Sequence, residues 1–241
     1  MNGGSGLLGA GAREPLCVAL TQAHRGHGVS TAAYYLGRAL VACDLHVLLG
    51  DLSERSSPLA ALVGHVPVKN LVPWRPPVVG PSDLPAMLRQ ARQRTAGRAD
   101  VVLLDIDAGL LEHGAGLRNE LSYLLVLTDP TSEAARAAGH LAERFQATAE
   151  WLDRVGAVFS RVDPPNAEHL PERLGEHIPV LGWLPADYLL AAGETYSVTT
   201  GAPTQPHDAY LNAITRLAQA LTRLVPLAIR RQPDTPAAAH P

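Results

Sequence analysis

The sequence predicts an α/β protein whose doubly wound, mostly parallel sheet carries helices on both faces. Three observations favour this fold class. Continuous apolar runs of strand length alternate along the chain with longer segments of helical periodicity. The runs lack the polar–apolar alternation of a half-exposed strand, so they are typical of parallel strands covered on both sides. Polar residues collect where the runs end, which is the edge at which such sheets bind ligands.

Composition sets the scale of the protein and excludes some functions. The chain has 241 residues, 46% of them hydrophobic and 18% charged, which is typical of a globular protein with one α/β domain. We expect a flexible arm over 1–14, the domain over 15–225 and a tail rich in proline and alanine over 226–241. The formal net charge of -3 gives no overall attraction to nucleic acid.

Cysteine usage and apolar run lengths indicate the cellular location. Cys17 and Cys43 are predicted to be buried apolar residues, not a disulfide framework. The N-terminal segment has no signal-peptide pattern, and no apolar run is long enough to span a membrane. We therefore expect a cytoplasmic protein, either free or peripheral at the inner membrane face.

The first half of the chain predicts two strands, three helices and a long surface excursion. In chain order these are the strand 16–20, the helix 30–43, the strand 46–51, a short helix 56–63, the excursion 66–85 and the helix 84–95. The second half predicts four strands and two helices. They are the strands 100–107 and 121–127, the helix 131–145, the strands 154–160 and 179–185, and the helix 208–225.

Residues 21–31 join the first strand to the first helix and carry the strongest functional signal. Gly26 and Gly28 lie in the turn, and the hydroxyls of Ser30 and Thr31 open the helix. A strand, a glycine turn and a helix N-terminus together present backbone N–H groups to an anion. Nucleotide-binding P-loops use this geometry with the pattern G-x-x-x-x-G-K-[ST].

One position of the P-loop pattern is altered in this chain. Val29 stands where the pattern has its phosphate-binding lysine, and the only lysine of the whole chain is Lys69. No lysine from a neighbouring motif therefore replaces it. ATP and Mg²⁺ are the candidate ligands of this loop, and the valine argues against tight binding of either.

Three carboxylates follow predicted strands and are candidates for site chemistry. Ser30 and Asp105 are candidate magnesium ligands. Asp51 is a candidate catalytic residue or magnesium-shell carboxylate, and the alternative is an ordinary turn aspartate. Asp105 and Asp107 occupy alternating positions, which point to opposite faces, so we expect one functional carboxylate and one structural one.

Five segments match known motifs in a fixed order. They are His24-Arg-Gly-His-Gly-Val-Ser-Thr31 for K-G-G-x-G-K-[ST]-T, Asp51-Leu-Ser53 for D-x-D, Val101-Val-Leu-Leu-Asp105 for a Walker B strand, Phe159-Ser-Arg161 for a strand ending in N-[RK], and Pro179-Val-Leu-Gly-Trp-Leu-Pro185 for P-V-L-G-x-[IL]-P. Together they resemble the ParA/MinD family of deviant Walker A P-loop ATPases, which position plasmids, division sites, flagella and pili. The resemblance covers roughly residues 15–225.

The departures from the family's pattern fall on the residues that do its chemistry. His24 and Val29 replace two lysines, one that reaches a dimer partner's phosphates and one that holds the β- and γ-phosphates. Arg25 replaces the first glycine. Ser53 replaces the carboxylate that helps to place the attacking water, and Ser160 replaces the asparagine that recognises adenine.

The resemblance implies a protein that positions or regulates a cellular apparatus of the partition, division, pilus or secretion type through protein contacts. Phosphoryl transfer depends on positioning and on charge neutralisation, so the altered loop predicts a pseudo-ATPase. The alternative is a slow Mg-dependent ATPase that cycles between monomer and dimer, with Arg25 or a partner residue supplying charge. The family also implies a homodimer, or a heterodimer with an intact family member.

Other surfaces give weaker signals. The last predicted helix carries an apolar stripe, which either packs on the sheet or lies on a membrane surface. The arginines within 89–98 and 216–231 are the only candidates for a basic stripe, so we do not expect nucleic acid as a partner. The excursion 66–82 is a candidate surface for a protein partner.

Two further sets of residues have competing interpretations. His24 and His27 share a loop but have no third ligand nearby, so a metal site is not expected there. Trp183 and Tyr188 follow the sixth predicted strand and either stack on a base or fill the core, with packing favoured.

Overall fold

A single sheet of eight strands forms the centre of the computed structural model. The structure describes residues 14–24, 26, 28–52, 59, 62, 68–76, 82–113, 116–146, 154–187 and 207–223. The strands are β1 (Leu16–Gln22), β2 (Val47–Leu52), β3 (Leu71–Trp74), β4 (Val101–Ile106), β5 (Tyr123–Thr128), β6 (Val155–Val162), β7 (Arg173–Leu174) and β8 (Ile178–Pro185). Their order across the sheet is β3-β2-β4-β1-β5-β6-β8-β7. Every neighbouring pair is parallel except β7 and β8, so the predicted mostly parallel sheet is confirmed.

Helices cover both faces of this sheet. Among the described residues they are α1 (Val29–Ala42), α2 (Leu84–Thr95), α3 (Ala108–His113), α4 (Leu117–Glu120), α5 (Ser132–Gln146), a 3-10 helix (Pro164–His169) and α6 (Asp208–Thr222). Helices α1 and α6 pack on one face, which we name the α1 face. Helices α2 and α5 pack on the other, the α5 face. The doubly wound arrangement is therefore confirmed as well.

Alternate residues of each strand supply the two cores. In β1, the residues Leu16, Val18 and Leu20 belong to the core of the α1 face, whereas Cys17 and Ala19 belong to the core of the α5 face. This is the two-residue period of a strand covered on both sides. Burying each leucine stabilises the fold by about 1.5–3 kcal/mol relative to exposing it.

The edge strand β3 corrects one prediction. The segment 66–85 was expected to be a surface excursion, but Leu71–Trp74 pairs in parallel with β2. Pro73 donates no backbone hydrogen bond, and the edge of a sheet tolerates such a residue. The neighbouring strand fits closely here: a Cβ added to Gly50 would lie 2.7 Å from Leu104 Cδ2 and 3.0 Å from Trp74 Cε3.

Several short elements were not predicted from sequence. Strand β7, helices α3 and α4 and the 3-10 helix span six residues or fewer, which is too short for periodicity to identify. Of the predicted helix 56–63, the structure describes only Leu59 and Leu62, and both are buried in the core of the α1 face. The predicted tail and, apart from Glu14, the predicted arm lie outside the described residues.

Candidate functional site

The loop between β1 and α1 is shaped by glycines in left-handed backbone conformation. Gly26 has φ of 91° and Gly28 has φ of 79°, where a residue with a Cβ would be strained. Chain neighbours aside, a Cβ added to either glycine would meet no atom of the described residues within 4 Å, so the space beside the backbone is open to that part of the chain. The positive end of the α1 dipole lies at this space because the helix begins directly after Gly28. This is the arrangement that binds anions at helix N-termini.

Val29 is the first residue of α1, and its side chain is turned into the protein. It is only 4% exposed and belongs to the apolar core of the α1 face together with Leu20 and Leu127. A hydrocarbon group therefore fills the position at which a P-loop carries a cation. Ser30 and Thr31 follow it in the first turn, and both are half-buried.

Asp51 and Asp105 are brought together at the carboxyl ends of adjacent strands. They are register partners in the parallel pair of β2 and β4, and they are 7% and 4% exposed. Leu49 and Leu103, two residues earlier, lie in the core of the α1 face, so both carboxylates point to that face as well. The side of the sheet that carries α1 therefore also carries the pair. Carboxylate oxygens are the ligands that Mg²⁺ prefers, so the pair fits a magnesium ion.

Asp107 lies at the junction between β4 and the helix that follows it. It follows β4, is half-buried, and stands directly before helix α3. Its backbone carbonyl accepts hydrogen bonds from the N–H groups of Leu110 and Leu111 at 3.1 and 3.3 Å. Asp107 therefore marks the start of that helix.

The remaining residues of the altered loop are only partly described. His24 is exposed, whereas Arg25, His27 and Ser53 lie outside the described residues. Within the described part of the chain, no group of three or more histidine, cysteine or acidic side chains is placed to hold a metal ion.

The carboxyl end of β6 carries a serine and an arginine. Ser160 is buried, and its hydroxyl donates a hydrogen bond of 3.3 Å to the backbone carbonyl of Thr128 in β5. The adjacent Arg161 is exposed and has φ of 58°, a left-handed conformation that costs an ordinary residue free energy. The side chain that stands in place of the family's adenine-recognising asparagine is therefore engaged with the neighbouring strand.

Asp187 is a buried carboxylate that the sequence analysis missed. Its Oδ2 accepts a hydrogen bond of 2.8 Å from the backbone N–H of His207, and its Oδ1 lies 3.3 Å from His207 Nδ1. The contact fixes the start of α6 against the end of β8. The sequence did contain a pattern that could have identified it, because Asp187 follows a predicted strand just as Asp51 and Asp105 do.

Two buried tyrosines lie close to Asp187, between α1 and α6. The rings of Tyr35 and Tyr210 meet edge to face with their centroids 6.0 Å apart. Burial, and then the neighbouring Tyr34, raises the pKa of Tyr35 to about 12. Burial also raises the pKa of Tyr210, with smaller contributions from Tyr35 and Asp187. Both phenols therefore stay neutral at physiological pH.

The arginines of α2 do not form a free basic stripe. Arg89 Nη2 lies 2.7 Å from Oε1 of the buried Glu120, and Arg92 Nη1 lies 3.5 Å from its Oε2. Arg92 Nη2 also pairs with Glu14 at 2.6 Å. Two of the arginines within 89–98 thus hold α2, α4 and the start of the domain together.

Helix α6 packs on the sheet, as favoured from sequence. Its apolar residues Ile214, Leu217 and Leu221 are each 5% exposed or less and belong to the core of the α1 face. No helix in the described part of the chain is both long enough and apolar enough to cross a membrane. Trp183 is half-buried and packs against the core of the α5 face, which confirms its packing role. Tyr188 lies outside the described residues.

Known proteins resemble this chain in structure. Neither a protein-family model nor a curated protein matches the sequence. MinD from Pyrococcus horikoshii, complexed with Mg-ADP, gives a TM-score of 0.66 at 16% identity over 89% of this chain and 98% of that one. The MinC:MinD complex from Aquifex aeolicus gives a TM-score of 0.64 at 17% identity, over 86% of this chain and 96% of that one. A ParA family ATPase from Chlorobium tepidum gives a TM-score of 0.60 at 19% identity, over 86% of this chain and 99% of that one. The chain therefore has the ParA/MinD-like P-loop α/β fold.

Proposed function

We propose that this protein is a ParA/MinD-like pseudo-ATPase that positions or regulates a cellular apparatus of the partition, division, pilus or secretion type through protein contacts. The burial of Val29 is the observation that carries the proposal. A side chain that is 4% exposed and packed in an apolar core supplies no positive charge to a phosphate. In enzymes generally, the loss of one electrostatic stabiliser lowers kcat by about 10²–10³-fold.

Lys69 does not replace the missing cation. It is exposed in the turn before β3, at the amino ends of the parallel strands β2 and β3. The loop and the carboxylate pair lie at the carboxyl ends. Along β2, the four residue steps from Val47 to Asp51 separate the two edges by roughly 13 Å, given about 3.3 Å per residue. Any remaining positive charge at the site must come from arginine, histidine or another chain.

The residues of the loop and strand ends that still match the family's pattern support a residual affinity for magnesium and phosphate. Ser30 and Asp105 would hold the ion, and Asp51 would orient a water beside it. Gly26 and Gly28 would let the backbone N–H groups approach the phosphates, as in other glycine-rich loops. Bound magnesium would supply charge neutralisation, and these residues would only position it.

Protein contacts are the proposed route of action because the similar folds belong to proteins of that kind. One MinD of this fold is seen in complex with MinC. We propose that this chain likewise acts in a complex, as a homodimer or as a heterodimer with an intact family member. A protein surface can keep its partner after the nucleotide site has lost its chemistry.

A slow Mg-dependent ATPase is the second candidate, and one observation favours it. Asp51 and Asp105 remain register partners beside a loop whose glycines keep positive φ. In this alternative, Arg25 or a residue of the dimer partner supplies the missing charge, and the protein cycles between monomer and dimer.

Calorimetric titration with ATP and ADP, with and without magnesium, tests the proposal. We expect no saturable heat at micromolar nucleotide and no turnover for the wild type. Val29→Lys is expected to restore little, because His24 and Ser53 also depart from the family's pattern. Val29→Met is the matched control, since methionine has a similar length without the charge. Micromolar magnesium-dependent binding with turnover in the wild type would establish the slow ATPase instead.

Sedimentation velocity with and without ATP tests the oligomeric part of the proposal. A pseudo-ATPase is expected to keep the same oligomeric state in both conditions, because no nucleotide state drives association. A dimer that forms only with ATP and dissociates with ADP would favour the slow ATPase.

A further inference from the structure

A pocket of about 180 Å³ lies between β8 and α6, away from the loop. Strands β5 and β6 separate β8 from β1, so this pocket is distinct from the edge where Asp51 and Asp105 meet. The lining residues come from β6, β8 and α6. They are Val158, Leu181, Gly182, Trp183, Leu184, Ala213, Arg216 and Leu217.

The lining combines apolar walls with one cation. Among the described residues of the lining, Arg216 alone has an ionisable side chain, and it is exposed on α6. Within the part of the chain that the structure describes, Arg216 makes no ion pair. Arg89 and Arg92 behave differently, because both pair with Glu120. Among the described residues, no carboxylate therefore competes with an incoming anion for the guanidinium of Arg216.

The size of the pocket limits what it accepts. An apolar cavity of about 150 Å³ in another protein holds a benzene molecule, so 180 Å³ accommodates an apolar body of that size. Gly182 leaves room on the wall, since an added Cβ would meet no atom of the described residues within 4 Å apart from its chain neighbours. A single guanidinium matches a single carboxylate by a bidentate hydrogen bond. We infer that this pocket binds a monocarboxylate with an apolar body about the size of a benzene ring.

Phenylacetate titrated into the full chain tests the inference by NMR. The backbone N–H signal of Gly182, in the wall of the pocket, is the reporter, because the Trp183 side chain packs on the opposite face of the sheet. It is assigned by triple-resonance spectroscopy, and the indole N–H of Trp74 is the reference signal. We expect the Gly182 signal to shift saturably at millimolar phenylacetate, while the signal of Trp74, at the opposite end of the sheet, stays in place. Phenylacetamide has the same shape without the charge, and we expect it to bind at least about fivefold more weakly.

Variants of α6 separate specific binding from general attraction. Arg216→Gln is expected to weaken phenylacetate binding at least about fivefold. Arg223→Gln, one heptad further along the same exposed side, is the matched control and is expected to change nothing. Ala213→Leu fills the pocket and is expected to abolish the shift while the protein remains folded by circular dichroism. An equal loss in Arg216→Gln and Arg223→Gln, or equal binding of the acid and the amide, overturns the inference. So does the lack of any saturable shift.

Discussion

Both faces of the sheet carry a buried apolar core, but they end differently at the carboxyl edge. On β4, Leu103 faces α1 and is followed on the same face by the carboxylate of Asp105. Leu104 faces α5 and is followed by Ile106, which remains in the apolar core. On the α5 face, β4 therefore contributes only core residues. On the α1 face, it contributes core residues and then a carboxylate of the candidate site. The candidate site residues Asp51 and Asp105 lie on the same face at the same edge.

Buried carboxylates also differ between the two faces. On the α5 face, Glu120 is held by the guanidinium groups of Arg89 and Arg92, so its charge is neutralised within the fold. On the α1 face, Asp51 and Asp105 are register partners in adjacent strands, so two buried carboxyl groups lie at the same level of the sheet. Carboxylate oxygens are the ligands that Mg²⁺ prefers. The first arrangement is an ion-pair network within the fold, and the second is the proposed magnesium site.

The largest expected effect tests whether the two cores are equivalent. Leu103→Ala and Leu104→Ala each remove a fully buried side chain, one from each face. We expect each to lower the free energy of unfolding by about 2–5 kcal/mol, measured by urea denaturation. A loss below about 1 kcal/mol for only one of them would show that the faces are not equally packed.

Rising alkaline pH is expected to lower the free energy of unfolding, first through a group on the α5 face and then through one on the α1 face. Burial raises the pKa of Cys17, on the α5 face, from 9.0 to about 12, and that of Tyr35, on the α1 face, from 10.0 to about 12. Folding therefore favours both neutral forms. Their stabilisation is complete below pH 9 and pH 10 respectively, and it is lost as the pH rises towards 12. Each group contributes up to about 1.4 kcal/mol per pH unit.

Cys17→Ala and Tyr35→Phe separate the two contributions. Urea denaturation at several pH values is expected to show that Cys17→Ala flattens the decline between pH 9 and 10. Tyr35→Phe is expected to flatten it only above pH 10. The slopes are compared, and not the absolute free energies, because each substitution also changes packing. Identical slopes in both variants and the wild type would contradict the assignment.

Magnesium tests the contrast between the two kinds of buried carboxylate. We expect millimolar Mg²⁺ to stabilise the wild type by about 1–2 kcal/mol, which raises Tm by roughly 2–6 °C for a chain of this size. Asp105→Asn is expected to abolish the shift. Asp100→Asn is the control, since Asp100 lies before the amino end of the same strand and pairs with His46. If Mg²⁺ still raises the Tm of Asp105→Asn, the carboxylate pair is not the magnesium site.

The smallest expected effect concerns Arg161 at the end of β6. Its φ of 58° suits glycine, so Arg161→Gly is expected to be more stable than Arg161→Ala by about 1 kcal/mol. Thermal unfolding of the two variants measures the difference. Equal stability would show that the exposed backbone relaxes without cost and that the carboxyl edge stores no strain there.

Local patterns predicted much of the fold and part of the site. The apolar runs, the helices between them and Asp51 and Asp105 at strand ends were all visible, because strand and helix periods extend over only a few residues. Strand β3 was missed because its pairing with β2 depends on residues more than twenty positions earlier in the chain. Asp187 was overlooked because its contact with the N–H of His207 joins positions twenty residues apart.

The sequence by itself determined the alternation of strands and helices, the absence of a loop lysine and the carboxylates at strand ends. The tertiary structure decided what those residues face. It placed Val29 in the apolar core, set Asp51 beside Asp105, and engaged Arg89 and Arg92 with Glu120. Backbone sterics and side-chain period are fixed within a few residues. Burial and charge pairing depend on packing between elements that lie far apart in the chain.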